Sequence, residues 1–191
     1  MKGFLAGIIL TLVVLALAVV LYVRSSRMSV AATDAPLPFE TTLAKMGLHE
    51  RLQREAPKRD VLGFSTAQLL TGASVYQNNC AFCHGLPQPP ASVAGAGMYP
   101  HAPQLLTPDG MVTDDPPGVI YWKVENGIRL TGMPSFKSAL SEDQAWDVSA
   151  LLERADKLPP EVLDVLKIPA PVPASTSETP AGAIGKLGKT H

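Results

Sequence analysis

Cysteine is almost missing from this chain: two occur in 191 residues, both in one short stretch, so the sequence offers no disulfide framework. Histidine is nearly as scarce, with four, and none of them falls at the paired spacing that a four-ligand structural zinc site uses. An excess of charge of either sign is missing too. The formal net charge is −1, which argues against a polyelectrolyte partner and against nucleic acid. No Ser-His-Asp, phosphate-loop or paired-carboxylate constellation is visible, so independent hydrolytic chemistry is not expected. Proline and glycine, by contrast, are plentiful at 18 and 15, and they predict long irregular connections.

The two cysteines lie in Cys80-Ala81-Phe82-Cys83-His84. Two thiols three apart, with a histidine directly after the second, form the attachment signal for a c-type haem. Side chains at i and i+3 share one face of a helical turn, so each thiol can reach one vinyl group of the same haem. His84 then offers a neutral imidazole nitrogen to the iron. A redox dithiol also uses Cys-x-x-Cys, but it needs no following histidine and usually accompanies a βαβ pattern. With both cysteines spent on haem, the core must come from apolar packing and from the flat apolar cofactor itself.

The stretch from Gly3 to Val23 carries no charge and would span roughly 31 Å as a helix, enough to cross a bilayer's hydrocarbon core. It exceeds the apolar core of a cleaved signal peptide. Residues 1–24 are therefore expected to be a retained transmembrane anchor, with cleavage near Val30-Ala31-Ala32 as the alternative. Lys2 on one side and Arg24 and Arg27 on the other leave the positive-inside rule nearly balanced. Residues 25–64 read as a tether. Within it 40–56 is helical in pattern but thinly apolar, and Arg51, Arg54, Lys58 and Arg59 make it basic: a solvated spacer, or a docking face for a partner or anionic lipid. Pro57 ends that helix.

Ser65-Thr66-Ala67-Gln68 is a capping box that opens an amphipathic helix leading into Cys80. The stretch after His84 as far as Met98 reads as loop. Pro116 and Pro117 open a short helix over Gly118 to Glu125, which Asn126-Gly127 should stop with a left-handed cap. Ser141-Glu142-Asp143-Gln144 is a second capping box. It starts a helix whose buried face is expected to hold Ala145, Trp146, Val148, Ser149, Leu152 and Ala155, with Pro159-Pro160 as its end. A domain over 65–160 and a disordered tail over 161–191 follow, with one further helical turn over Glu161 to Leu166 as an alternative at its start; from Ile168 onward the tail is too poor in large apolar residues to offset its ordering entropy.

Thr131-Gly132-Met133-Pro134 has neither a helix nor a strand pattern. A thioether is a soft, weak ligand that suits haem iron opposite a histidine, which makes Met133 the leading candidate for the sixth position. Met98, Met111 and His101 are its rivals. The plain alternative is that Met133 fills a packing gap.

Together Tyr76…Cys80-Ala81-Phe82-Cys83-His84-Gly85, Pro103-Gln104-Leu105, Asn126-Gly127, Gly132-Met133-Pro134 and the final helix from Ser141 resemble the class I c-type cytochromes, in their single-haem, membrane-anchored bacterial form. The resemblance covers about half the chain. It implies an all-α, cytochrome c-like domain of three to four helices around one haem, with the first and last helices crossing near a right angle and Leu70, Tyr76, Trp146 and Leu152 at the crossing. It also implies thioethers at Cys80 and Cys83, axial ligands His84 and Met133, and a Pro103 carbonyl that accepts a hydrogen bond from the ligand histidine. Haem is attached outside the cytoplasm in this family, which would put the amino terminus inside and the haem domain in the periplasm, on a single-pass inner-membrane anchor. The implied function is one-electron transfer in a respiratory or dehydrogenase chain, with an oxidase, reductase or dehydrogenase as redox partner. The protein would then be a carrier or a subunit of an oxidoreductase complex, with no enzymatic step of its own. The alternative is a haem whose sixth site is open or labile, acting as a sensor or enzyme.

Overall fold

The computed structural model describes residues 2–25, 27–59, 63–88, 92–107 and 111–167. Among them every regular element is helical and there is no strand. Helix α1 (Lys2–Arg24) is long and apolar enough to cross a membrane and buries none of its residues against the rest of the chain. Helix α2 (Glu40–Glu55) is also largely exposed along its length.

The packed domain starts at α3 (Thr66–Asn79). Its capping box forms as the sequence suggests: Ser65 Oγ accepts from the Gln68 amide at 3.3 Å, and Gln68 Oε1 accepts from the Ser65 amide at 3.1 Å. Helix α4 (Ala81–His84) is the single turn that carries the cysteine motif. The segment expected to be wholly loop contains another short turn, α5 (Val93–Ala96), because Ser92 caps it by accepting from the Gly95 amide at 3.2 Å. A 3-10 turn follows at Met111–Asp114, and then α6 (Pro117–Asn126). Gly127 stops α6 at φ 67°, ψ −176°, so it has the positive φ but not the left-handed helical ψ that was expected. Helix α7 (Glu142–Glu153) starts on the second capping box, with contacts of 3.2 and 3.0 Å.

Two ends differ from the sequence reading. Helix α7 stops at Glu153, where the Arg154 amide turns back to Leu151 and Leu152, well before the proline pair. Pro160 instead opens α8 (Pro160–Lys167), where a missing N–H costs nothing. Val162 and Leu166 of α8 are fully buried, and Gln77 Nε2 donates to the Val165 carbonyl at 2.6 Å. The packed body therefore runs through Lys167, so the expected tail from 161 begins with an ordered helix. The rest of that tail, 168–191, lies outside the described residues.

The core joins α3, α6, α7 and α8 through Leu69, Ala73, Tyr76, Ile120, Val124, Val148, Leu151, Val162 and Leu166. Tyr76, Trp146 and Leu152 are buried as anticipated, whereas Leu70 is only half-buried. Helix α3 comes close to α7 at Gly72, where a side-chain carbon would overlap the backbone carbonyl of Asp147. Trp146 stacks on Tyr121 with ring centroids 4.3 Å apart and 16° between planes. Arg59 lies over the outer face of Trp146, 4.8 Å from its centroid. Glu55 accepts from Trp122 Nε1 at 3.2 Å, and the Pro57 carbonyl sits against Gly118. The end of α2 and the chain just after it are thus docked on α6 and α7, not held apart in solvent.

Candidate functional site: the cysteine turn and the methionine loop

Helix α3 ends at Cys80, whose amide still bonds to the Tyr76 carbonyl at 2.8 Å, so the turn that follows is held rigidly at its start. The His84 amide bonds to the Cys80 carbonyl at 2.9 Å, which closes the turn around both cysteines and the histidine. Gly85 then leaves at φ 73°, a left-handed value that glycine tolerates. Its carbonyl accepts a buried hydrogen bond from the Tyr76 hydroxyl at 2.8 Å. Tyr76 thereby braces the exit of the turn from the last turn of α3.

Cys80 is buried and Cys83 half-exposed, and neither is in a disulfide. Burial, and after it the neighbouring Cys83, push the Cys80 thiol up to about 12, so it stays neutral in that position. Burial also pulls the His84 imidazole below its ordinary value, and the hydrogen bond to Pro103 works the other way.

Pro103 is placed against His84, with the imidazole Nδ1 2.7 Å from the Pro103 carbonyl oxygen. A carbonyl only accepts, so Nδ1 carries the proton. Nε2 is then the nitrogen with a free lone pair, which is the arrangement a metal-binding imidazole needs. Next to Pro103, the Gln104 Nε2 is buried and has no acceptor among the described residues, which leaves a donor for a group beyond the protein atoms.

Met133 lies in the irregular stretch between α6 and α7, half-buried against the edge of the core. Its loop is tied down on both sides. The Met133 amide donates to Thr131 Oγ1 at 3.1 Å, and its carbonyl accepts from the Ile128 amide at 3.2 Å. The Ser135 hydroxyl donates to the Glu125 carbonyl at 2.5 Å, and the Phe136 amide bonds to the Val124 carbonyl at 3.1 Å. Gly127 is needed here, since a side-chain carbon would come 2.6 Å from the Pro134 carbonyl carbon. Of the rivals for the sixth position, His101 is exposed, and Met98 packs on Gly132 beside Met133. Lys123 and Lys137 pair with Asp115 at 2.5 Å and Glu125 at 3.1 Å, while Arg129 is exposed.

Residues 67–152 match the family described as cytochrome c oxidase, cbb3-type, subunit III. This segment is a c-type cytochrome domain. No curated protein and no solved structure is matched by the chain. The cytochrome family binds haem c covalently and transfers electrons with it, and the donor set fits such a group: two thiols on one turn, an imidazole with Nε2 free, and an unspent buried donor at Gln104. Sequence reasoning had missed Gly72, Gly95 and the Ser92 cap. A serine three residues before a glycine amide was the available signal for that cap.

Proposed function

We propose that the protein is a membrane-tethered one-electron carrier with a single haem c, held by thioethers at Cys80 and Cys83 and ligated by His84 and Met133. The observation that carries this reading is the Nδ1 contact between His84 and Pro103, which leaves Nε2 as the free nitrogen of an imidazole on a turn bearing two cysteines. The haem supplies the ferric–ferrous couple. The chain's part is to hold both axial side chains on stiff supports, the cysteine turn and the hydrogen-bonded Met133 loop, so that little rearranges when an electron arrives. A methionine opposite histidine raises the potential relative to two nitrogen ligands.

The anchor reading rests on α1, and the domain plan is an anchor over 1–24, a partly docked tether over 25–64 and a cytochrome domain that we extend from 65 through Lys167. The haem domain is assigned to the periplasmic side of a bacterial inner membrane. Tethering keeps it at high local concentration beside a membrane partner. The matched family's description names an oxidase subunit, which favours a terminal oxidase among the protein partners, with a reductase or dehydrogenase as the electron donor.

The test is Met133→Ala in protein matured with haem-attachment machinery. Covalent haem is retained, the weak near-infrared band of iron–thioether bonding disappears, and the reduction potential falls. An unchanged spectrum and potential would remove Met133 from the iron.

A further inference from the structure

The chain between Ser92 and Pro103 meets both the cysteine turn and the loop before Met133. Ser92 Oγ donates to the carbonyl of Phe82 and accepts from the Gly95 amide. Gly95 lies so close to the cysteine turn that a side-chain carbon would overlap the Cys83 carbonyl. The Ala102 amide returns to the Gly95 carbonyl at 3.1 Å, closing the strap into a compact loop. Pro103, at its end, holds His84. From the middle of this strap the half-buried Met98 side chain reaches the other half of the site. Its sulfur takes the space that a side-chain carbon on Gly132 would fill, and its Cγ and Cε would stand 3.1 and 3.2 Å from that carbon. Gly132 is the residue before Met133.

We propose that Met98 is a positioning residue for the sixth ligand: by packing on Gly132 it links the strap that braces the cysteine turn to the loop that presents Met133, and so keeps the Met133 thioether from leaving the iron. This rests on the reading of Met133 as ligand. The physical basis is that a half-buried side chain deleted from a packed contact leaves a gap its neighbours fill only in part. Here the neighbour is an irregular loop whose glycine has no side chain of its own to take up the slack. Leucine conserves most of methionine's volume and should conserve the contact, whereas alanine should not.

The test uses the full holoprotein and titrates the ferric form with imidazole, which competes with the thioether for the sixth position. In Met98→Ala, imidazole binds at least about tenfold more tightly than in the parent, equal to about one unit in the logarithm of the exchange constant. Met98→Leu stays within about threefold of the parent. Gly132→Ala, whose methyl meets the Met98 sulfur, also binds imidazole more tightly. Combining it with Met98→Ala recovers part of the loss, because the methyl enters the vacated space. Met98→Val, a milder truncation, serves if the alanine variant does not mature, with an effect in the same direction. Imidazole affinity unchanged in the truncated variants, with only thermal stability lowered, overturns the proposal and leaves Met98 as packing. A near-infrared thioether band that survives Met133→Ala but vanishes in Met98→Leu overturns both readings, because Met98 would then be the ligand itself. A band lost in Met133→Ala with imidazole affinity unaltered in Met98→Ala keeps the ligand reading and removes only this one.

Discussion

The Pro103 carbonyl accepts a hydrogen bond from Nδ1 of His84 at 2.7 Å, across nineteen residues of chain. That contact fixes the ring's tautomer and rotation together, so Nε2 is the nitrogen available for a metal. It adds geometry to what the spacing of Cys80, Cys83 and His84 already indicates.

Covalent attachment is the first consequence that can be checked. Replacing both Cys80 and Cys83 by alanine should abolish haem that survives denaturation, read by a peroxidase stain on a denaturing gel. Replacing one alone should leave a single thioether and shift the reduced spectrum. Haem still bound after denaturation of the double variant would contradict the assignment.

Tyr76→Phe removes the donor to the Gly85 carbonyl while keeping the ring in its fully buried position. A buried acceptor left unpaired costs about 1–3 kcal/mol. Chemical denaturation of the holoprotein should show a loss of that order with covalent haem retained, and a loss near zero would mean that water replaces the hydroxyl.

Two glycines inside helices should respond oppositely to alanine. Gly72→Ala pushes a methyl into the Asp147 backbone where α3 meets α7, so it should destabilise by about 1–3 kcal/mol despite better helix propensity. Gly47 meets nothing within 4 Å, and Gly47→Ala should favour α2 by about 0.5–1 kcal/mol. Helix content and denaturation midpoints distinguish the two. Equal effects would show that the α3–α7 contact can open at no cost.

Asp147 gives a pH dependence. Desolvation first, and then Asp143, hold its carboxyl above the ordinary value of 3.8, with a hydrogen bond from Gln68 opposing them. The folded state thus prefers the protonated form, and stability from this group falls as pH rises through the raised value. Asp147→Asn should therefore be more stable than the parent at neutral pH, with the difference closing below 3.8. A variant less stable at neutral pH would mean that the charged carboxylate is favourable there.

Much of this domain was legible in the sequence because its signals are local. Both capping boxes, the apolar face of α7 and the run of α3 into Cys80 depend on residues within four positions of each other. The contacts that were not legible join distant segments. Gly72 beside Asp147, Gly118 beside Pro57 and Gly132 under Met98 look alike as isolated glycines, and only the folded chain shows which neighbour excludes a side chain. The end of α7 was misplaced for a related reason. A proline pair signals a break, but it does not say whether a helix stops before it or starts at it, and burial of Val162 and Leu166 against α3 decided for a start. The tether's charge points to a solvated spacer or to a docking face for a partner or lipid, yet Arg59 meets an aromatic face of the domain and Glu55 an indole N–H, contacts that composition does not reveal. For the site, the Cys-x-x-Cys-His spacing was legible in full, whereas the strap from Ser92 to Pro103 carries almost no local pattern.

The most direct measurement is an optical spectrum, oxidised and reduced, of the full chain matured in a periplasm with haem-attachment machinery. The account predicts a low-spin haem with a sharp reduced α band, a weak near-infrared thioether band when oxidised, and no shift on adding carbon monoxide. A high-spin spectrum that moves with carbon monoxide would contradict it, placing an open sixth site where Met133 is assigned and making ligand binding, not electron transfer, the function to pursue.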